Sequence, residues 1–124
     1  MIQYKEIAFT GYPVRNVAKS RKFYEGVLGL KLSRTFSKDF IEYDIGRGTL
    51  VLARAPDLWK PSRHGAAVAL EVKDIDAAIE HMKRKKIKFA IPPQDFPTCR
   101  MFGVRDPDGS MVTLHQRKRQ ARKA

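Results

Sequence analysis

Apolar and polar residues alternate along several short stretches of this chain. Ile41, Tyr43 and Ile45 are separated by Glu42 and Asp44, the period of two that marks a half-buried strand. Leu50 and Leu52 share one face of a second stretch, Thr49–Arg54, reached through the turn residues Gly46, Arg47 and Gly48. Residues 5–14 read as a strand, with Pro13 marking its end or a sheet edge. The period then lengthens. Asn16 suits an N-cap, and Val17, Phe23, Tyr24, Val27 and Leu28 follow at helical spacing up to Gly29, a helix-ending residue. Leu30–Leu32 start the next extended segment.

The second half repeats this order. Val68, Leu70 and Val72 line one face of a strand, and Asp74 caps a helix with Ile75, Ile79 and Met82 at i, i+4 and i+7. Ile87–Ile91 is extended, Pro92 and Pro93 break it, and Cys99–Arg105 and Met111–Gln116 are strands. Between these last two, Asp106, Pro107, Asp108 and Gly109 form a turn, Pro107 pre-setting its φ and Gly109 taking the left-handed conformation. A shift of 58 residues lays Val14-Arg15-Asn16-Val17 on Val72-Lys73-Asp74-Ile75, each time strand end, helix cap and first core residue. This is a duplicated βαβββ unit. The predicted fold is α+β, with two βαβββ modules forming a curved mixed sheet, helices outside and a concave cavity inside. Residues 1–118 make a single domain with modules 1–55 and 65–118, linker 56–64 and a basic flexible tail at 119–124.

Strand parity sorts the side chains. Leu50, Leu52, Val68, Leu70, Val72, Val112 and Leu114 form the greasier face and are expected under the helices. Val51, Ala53, Ala67, Ala69, Glu71, Met111, Thr113 and His115 are expected to face the cavity, a small and apolar wall with three polar groups, suited to a small organic molecule.

Composition narrows the setting. One cysteine, Cys99, rules out an intrachain disulfide, and no apolar run approaches the ~20 residues that cross a bilayer. Lys5 and Glu6 interrupt the N-terminus and exclude a signal-peptide core there, so a cytoplasmic location and no membrane partner are expected. Twenty-five Lys and Arg against 13 Asp and Glu give a net charge of +12. Clusters at Lys83–Lys86 with Lys88, and at Arg117, Lys118, Arg119, Arg122 and Lys123, contribute much of it. Such a field draws anions: nucleic acid, acidic lipid, or a small carboxylate or phosphate.

Three segments carry a family resemblance: PVRNVAKSRKFYEGVLGL, VALEVKDIDAAIEHMKRKKI and VRDPDGSMVTLHQRK. In this order they resemble the vicinal oxygen chelate superfamily of glyoxalases, bleomycin-resistance proteins and extradiol dioxygenases. The resemblance implies a divalent metal held by His or Glu on four strands, polarising a substrate with two neighbouring oxygens. Carried over by position, those ligands fall on Phe9, Val51, Ala67 and Thr113. Three of these side chains offer only carbon, and Thr113 alone is a poor ligand. The nearest donors, Glu71 and His115, do not complete a set, so no metal and no cofactor are expected.

His115 is the leading polar candidate, as a general base, as a hydrogen-bond donor to an anionic ligand, or as a structural histidine near the sheet edge. Thr113 shares its strand face. Cys99 belongs to the neighbouring hairpin strand, where a Cys–His pair would be a nucleophile, although a lone cysteine also serves as a small buried hydrophobe. Trp59, in the linker, is a lid or a subunit contact, and with its neighbour Leu58 it needs burial that a homodimer would provide. Arg54, Arg100 and Arg105 lie on or beside strands from which one side chain can enter the cavity. The ligand-binding set is therefore His115, Thr113, Phe9, Val51, Ala67, Met111, Glu71, Cys99 and Trp59.

Three functions compete. The first is a metal-independent small-molecule-binding protein, favouring an organic anion and forming a homodimer. The second is a lyase, isomerase or dioxygenase-type enzyme with an atypical site. The third is a nucleic-acid-binding protein working through its basic surface, for which no recognition motif is present.

Overall fold

The computed structural model describes residues 2–65 and 67–118. The chain divides into two compact units, residues 1–62 and 63–124. Each carries its own four-stranded mixed sheet and one helix, an α+β fold of two βαβββ modules. The basic tail assigned to 119–124 lies outside the described residues.

The N-terminal unit runs β1 (Thr10–Pro13), α1 (Val17–Arg21), β2 (Lys31–Ser37), β3 (Phe40–Asp44) and β4 (Thr49–Ala53). Its sheet order is β1-β4-β3-β2, with β1 parallel to β4 and the other pairs antiparallel. The strand predicted over residues 5–14 is shorter than the sequence suggests. Its partner β4 begins at Thr49, so residues before Thr10, which sits opposite Leu50, have almost no ladder to join.

Asn16 caps α1 as expected, its Oδ1 accepting the Lys19 N–H at 2.9 Å. The helix then widens into a π-helical segment, Lys22–Val27, whose wider turn is seen in the Leu28 N–H donating to the Phe23 carbonyl five residues back. Gly29 closes it at φ 72°, a left-handed position that costs glycine nothing sterically. Tyr12, Tyr24, Ile41, Tyr43, Leu50, Val51 and Leu52 are all buried. Tyr24 stacks on Tyr43 with ring centroids 6.1 Å apart.

The C-terminal unit runs β5 (Val68–Glu71), α2 (Ile75–Arg84), β6 (Phe89–Asp95), β7 (Cys99–Arg105) and β8 (Met111–Arg117). Its order is β5-β8-β7-β6, with β5 parallel to β8. Asp74 caps α2 through the Ala77 N–H at 3.1 Å, and Ile75, Ile79 and Met82 are buried on the helix face. Here Lys86, at φ 58°, takes the left-handed position that ends the helix.

Pro92 and Pro93 do not break the strand as the sequence suggests: β6 runs through them. It is an edge strand whose pairing with β7 shifts register between Phe89 and Ile91 and between Ile91 and Gln94, which removes the need for the missing N–H groups.

The repeat is legible in the register. Thr10 and Val68, an offset of 58, begin the two parallel strands; their partners Leu50 and Val112 are offset by 62. The second unit therefore carries four more residues between its first strand and its last.

Candidate functional site

In the C-terminal unit the parallel pairing sets Ala69 beside Thr113 and Glu71 beside His115. The His115 Nδ1 and Glu71 Oε1 are 2.6 Å apart, and the other carboxylate oxygen of Glu71 accepts the Arg117 backbone N–H at 2.7 Å. That backbone donor first, and the imidazole second, hold the Glu71 carboxyl below the usual carboxylate range. An ionised Glu71 can only accept, so Nδ1 carries a proton and Nε2 is the ring nitrogen left to meet a ligand. The carboxylate thus fixes both the tautomer and the plane of the ring.

The antiparallel pairing puts Met101 opposite His115 and Cys99 opposite Arg117. Cys99, half-buried, is one diagonal step from His115, whose Nδ1 is occupied by Glu71. Met111 sits opposite Arg105 at the far end of β8, and its sulfur lies against Gly103. Ala67 is exposed just before β5, and Thr113 is half-buried. Arg100 is tied to Asp76 by two bonds of 2.8 and 3.1 Å, and Arg105 donates to the carbonyls of Arg63 and Gly109.

In the N-terminal unit Phe9 and Trp59 line one cavity of about 410 Å³ together with Gly11, Tyr12, Pro13, Ala53, Leu58 and Lys60. Phe9 precedes β1 and meets the edge of the Phe40 ring, 6.4 Å between centroids. Val51 is fully buried in β4, between Gly11 on β1 and Glu42 on β3. A second cavity, about 400 Å³, is lined by Val14, Arg15, Arg54, Pro56, Trp59, Lys60 and Pro61. Arg54, one of the three arginines singled out from sequence, thus lines a cavity. Lys60 drew no attention in the sequence; its only signal is its place beside Trp59 in a proline-bounded segment.

Residues 6–114 match the Glyoxalase/Bleomycin resistance protein/Dioxygenase superfamily. The chain belongs to this superfamily. A lactoylglutathione lyase of Neisseria meningitidis serogroup A is 32% identical, the match covering 85% of this chain and 86% of that protein. Two solved structures share the fold. A lactoylglutathione lyase from Agrobacterium tumefaciens has a TM-score of 0.76 at 16% identity, covering 92% of this chain and 95% of that one. TnmS3, an antibiotic binding protein from Streptomyces sp. CB03234, has a TM-score of 0.77 at 20% identity, covering 95% and 100%.

The metal that the glyoxalase superfamily implies does not fit the residues at its positions. Phe9, Val51 and Ala67 present no nitrogen, oxygen or sulfur from the side chain, and Val51 is fully enclosed. Glu71 and His115 are already bonded to each other, and among the described residues no three His, Cys, Asp or Glu side chains gather closely enough to hold an ion. Among the described residues no helix is long and apolar enough to cross a membrane.

Proposed function

We propose that this chain is a metal-independent small-molecule-binding member of the glyoxalase/bleomycin-resistance superfamily that favours a small organic anion. The donor set carries this proposal: three of the four positions that would ligate a metal hold Phe9, Val51 and Ala67. In the N-terminal unit the ligand-facing residues are Phe9 and Trp59, with Val51 supporting them from the core. In the C-terminal unit they are His115, oriented by Glu71, with Thr113, Met111 and Cys99 on the same sheet and Ala67 just before β5. An antibiotic-binding relative of the same fold and a net charge of +12 support binding and the sign of the ligand. We further propose a homodimer and a cytoplasmic location, the latter suited to a chain with one free, half-buried cysteine.

The experiment combines elemental analysis of protein purified without chelator with a thermal-shift screen of carboxylates, phosphates, thiol conjugates and cationic drugs. Well under one equivalent of metal, and stabilisation by anions that is weakened in His115→Ala, is the expected result. Stoichiometric metal, or preferential stabilisation by cations, overturns the proposal.

A second reading is a lyase. The 32% identity to a lactoylglutathione lyase favours it, as does a carboxylate-oriented imidazole with Nε2 as its remaining basic atom. Turnover of lactoylglutathione that is abolished by His115→Gln would establish it.

A further inference from the structure

The two cavities of the N-terminal unit share a wall. Trp59 and Lys60 line both, and the residues on either side differ in kind. On one side stand Phe9, Tyr12, Pro13, Ala53 and Leu58, a surface of rings and aliphatic carbon. On the other stand Arg15, Arg54 and Lys60, three cations, with no acidic side chain in the lining. The shared wall is a fixed turn: the N–H groups of Leu58 and Trp59 both donate to the Ala55 carbonyl at 2.8 Å, and Pro56 and Pro61 restrict the backbone around it. Arg54 is anchored by its own N–H, which donates to the Asp39 carbonyl at 2.8 Å.

We infer that these cavities form a bipartite site for an amphipathic organic anion, its apolar ring beside Phe9, Leu58 and Trp59 and its phosphate or carboxylate among Arg15, Arg54 and Lys60. The two halves recognise different things. The apolar cavity removes ring surface from water, at about 25 cal/mol per Å² of apolar area. Two guanidiniums and an ammonium answer a group with several acceptor oxygens, and guanidinium matches carboxylate and phosphate in bidentate fashion. Trp59 and Lys60, adjacent in sequence, supply one wall residue of each character. The inference rests on the proposal that the chain binds organic anions, and it adds a second anion site, in the N-terminal unit, separate from the one proposed at His115.

Trp59 is the only tryptophan, so its fluorescence reports directly on the shared wall. Phenyl phosphate, phenol and inorganic phosphate are titrated into the full chain and into Arg54→Gln, Lys60→Gln and Leu58→Ala. Phenyl phosphate is expected to bind at least about tenfold more tightly than either phenol or phosphate, as two modest half-sites joined in one ligand require. Arg54→Gln and Lys60→Gln should each weaken phenyl phosphate about tenfold and leave phenol unchanged. Leu58→Ala should weaken phenol and phenyl phosphate together. All three substituted residues are exposed, and an unshifted melting temperature verifies that each variant folds. Equal affinity for phenyl phosphate and inorganic phosphate overturns the inference. So does phenyl phosphate binding that survives both charge removals but is lost in His115→Ala, a result that leaves the proposed function standing. Absence of any anion binding overturns both.

Discussion

Glu71 and His115 lie directly across the parallel pair β5 and β8, carboxylate to imidazole at 2.6 Å. The carboxylate's second oxygen is bonded to the Arg117 backbone, so both of its oxygens are engaged although nearly half of the side chain is exposed. Its carboxyl is held low, and the sign follows. A group with a depressed folded pKa contributes stability above the ordinary carboxylate value, and that contribution is lost as pH falls through the folded value. Glu25, Asp76 and Asp95 are depressed in the same direction by Arg21, Arg100 and Lys118. Acid should therefore lower the melting temperature progressively below the usual carboxylate range. In Glu71→Gln part of that acid dependence should disappear. Nitrogen chemical shifts of the His115 ring should show Nδ1–H in the native chain and a mixture of tautomers in the variant.

Tyr43 is buried, yet its hydroxyl donates to Glu25 Oε2 at 2.9 Å, while Arg21 Nε donates to the same oxygen at 2.6 Å. Burial first, and the hydrogen bond to Glu25 second, push the phenol well above its ordinary value of 10.0. A raised folded pKa gives stability that is complete below the unfolded value and lost as pH rises past it, so alkaline unfolding should begin above about pH 10. Glu25→Ala strands a buried hydroxyl and should cost about 1–3 kcal/mol, whereas Tyr43→Phe removes donor and need together and should cost less. Chemical denaturation of the two variants measures the difference. A larger loss for Tyr43→Phe would refute this account.

Much of the fold was legible because two periods dominate it. The caps at Asn16 and Asp74, the alternation around Tyr43, and the buried stripe Ile75, Ile79 and Met82 are local signals, and each element forms where its signal lies. The first part of the edge strand β6 was legible at Ile87–Ile91. Its continuation to Asp95 was hidden because proline is judged by local rules, while tolerance of Pro92 and Pro93 comes from the sheet edge and shifted register. Parity alone put Glu71 and His115 on one face; that they bond depends on the pairing of strands 44 residues apart, which no local pattern encodes. The basic cavity was hidden for the same reason. Arg15, Arg54 and Lys60 come from the ends of two strands and a connecting turn, and only parallel pairing of β1 with β4 assembles them.

Gly103 pairs with Thr113, and a Cβ there would stand 2.8 Å from the Met111 sulfur and 3.0 Å from Ile91 Cδ1. Both atoms belong to flexible side chains, so Gly103→Ala should fold, with Met111 displaced, at a cost of about 1–3 kcal/mol. The Met111 methyl resonance should shift while the His115 ring resonances hold. A variant with wild-type melting and an unmoved Met111 methyl would show the site to be roomier than this packing allows.

Leu58 is 76% exposed and Trp59 44%, both on one tight turn, with Phe36 and Phe9 also solvent-facing in this unit. Apolar side chains grouped on a surface in this way mark contact sites. Light scattering at micromolar concentration should give about twice the 14.2 kDa of the chain, the proposed homodimer. A clean monomer refutes it. If the turn also lies in that contact, Leu58→Glu should shift the mass toward one chain without lowering the far-ultraviolet helix signal.

The net charge of +12 also predicts contact with nucleic acid, and salt separates that contact from a built site. Nonspecific binding to DNA is driven by counterion release and falls steeply, as a power of salt set by the number of phosphates neutralised. Arg100, Lys118 and Arg21 are each engaged with a carboxylate, which reduces the cations available to a polyanion. Random duplex DNA should therefore bind weakly at low salt and be lost by physiological ionic strength, where the Debye length is about 8 Å. A small anion held by specific groups makes few ionic contacts, so its affinity should fall far less over the same range. Electrophoretic shift with duplex DNA, run beside fluorescence titration of phenyl phosphate across a salt series, measures both slopes. DNA binding that persists at physiological salt would favour a nucleic-acid-binding protein over a carrier of small anions.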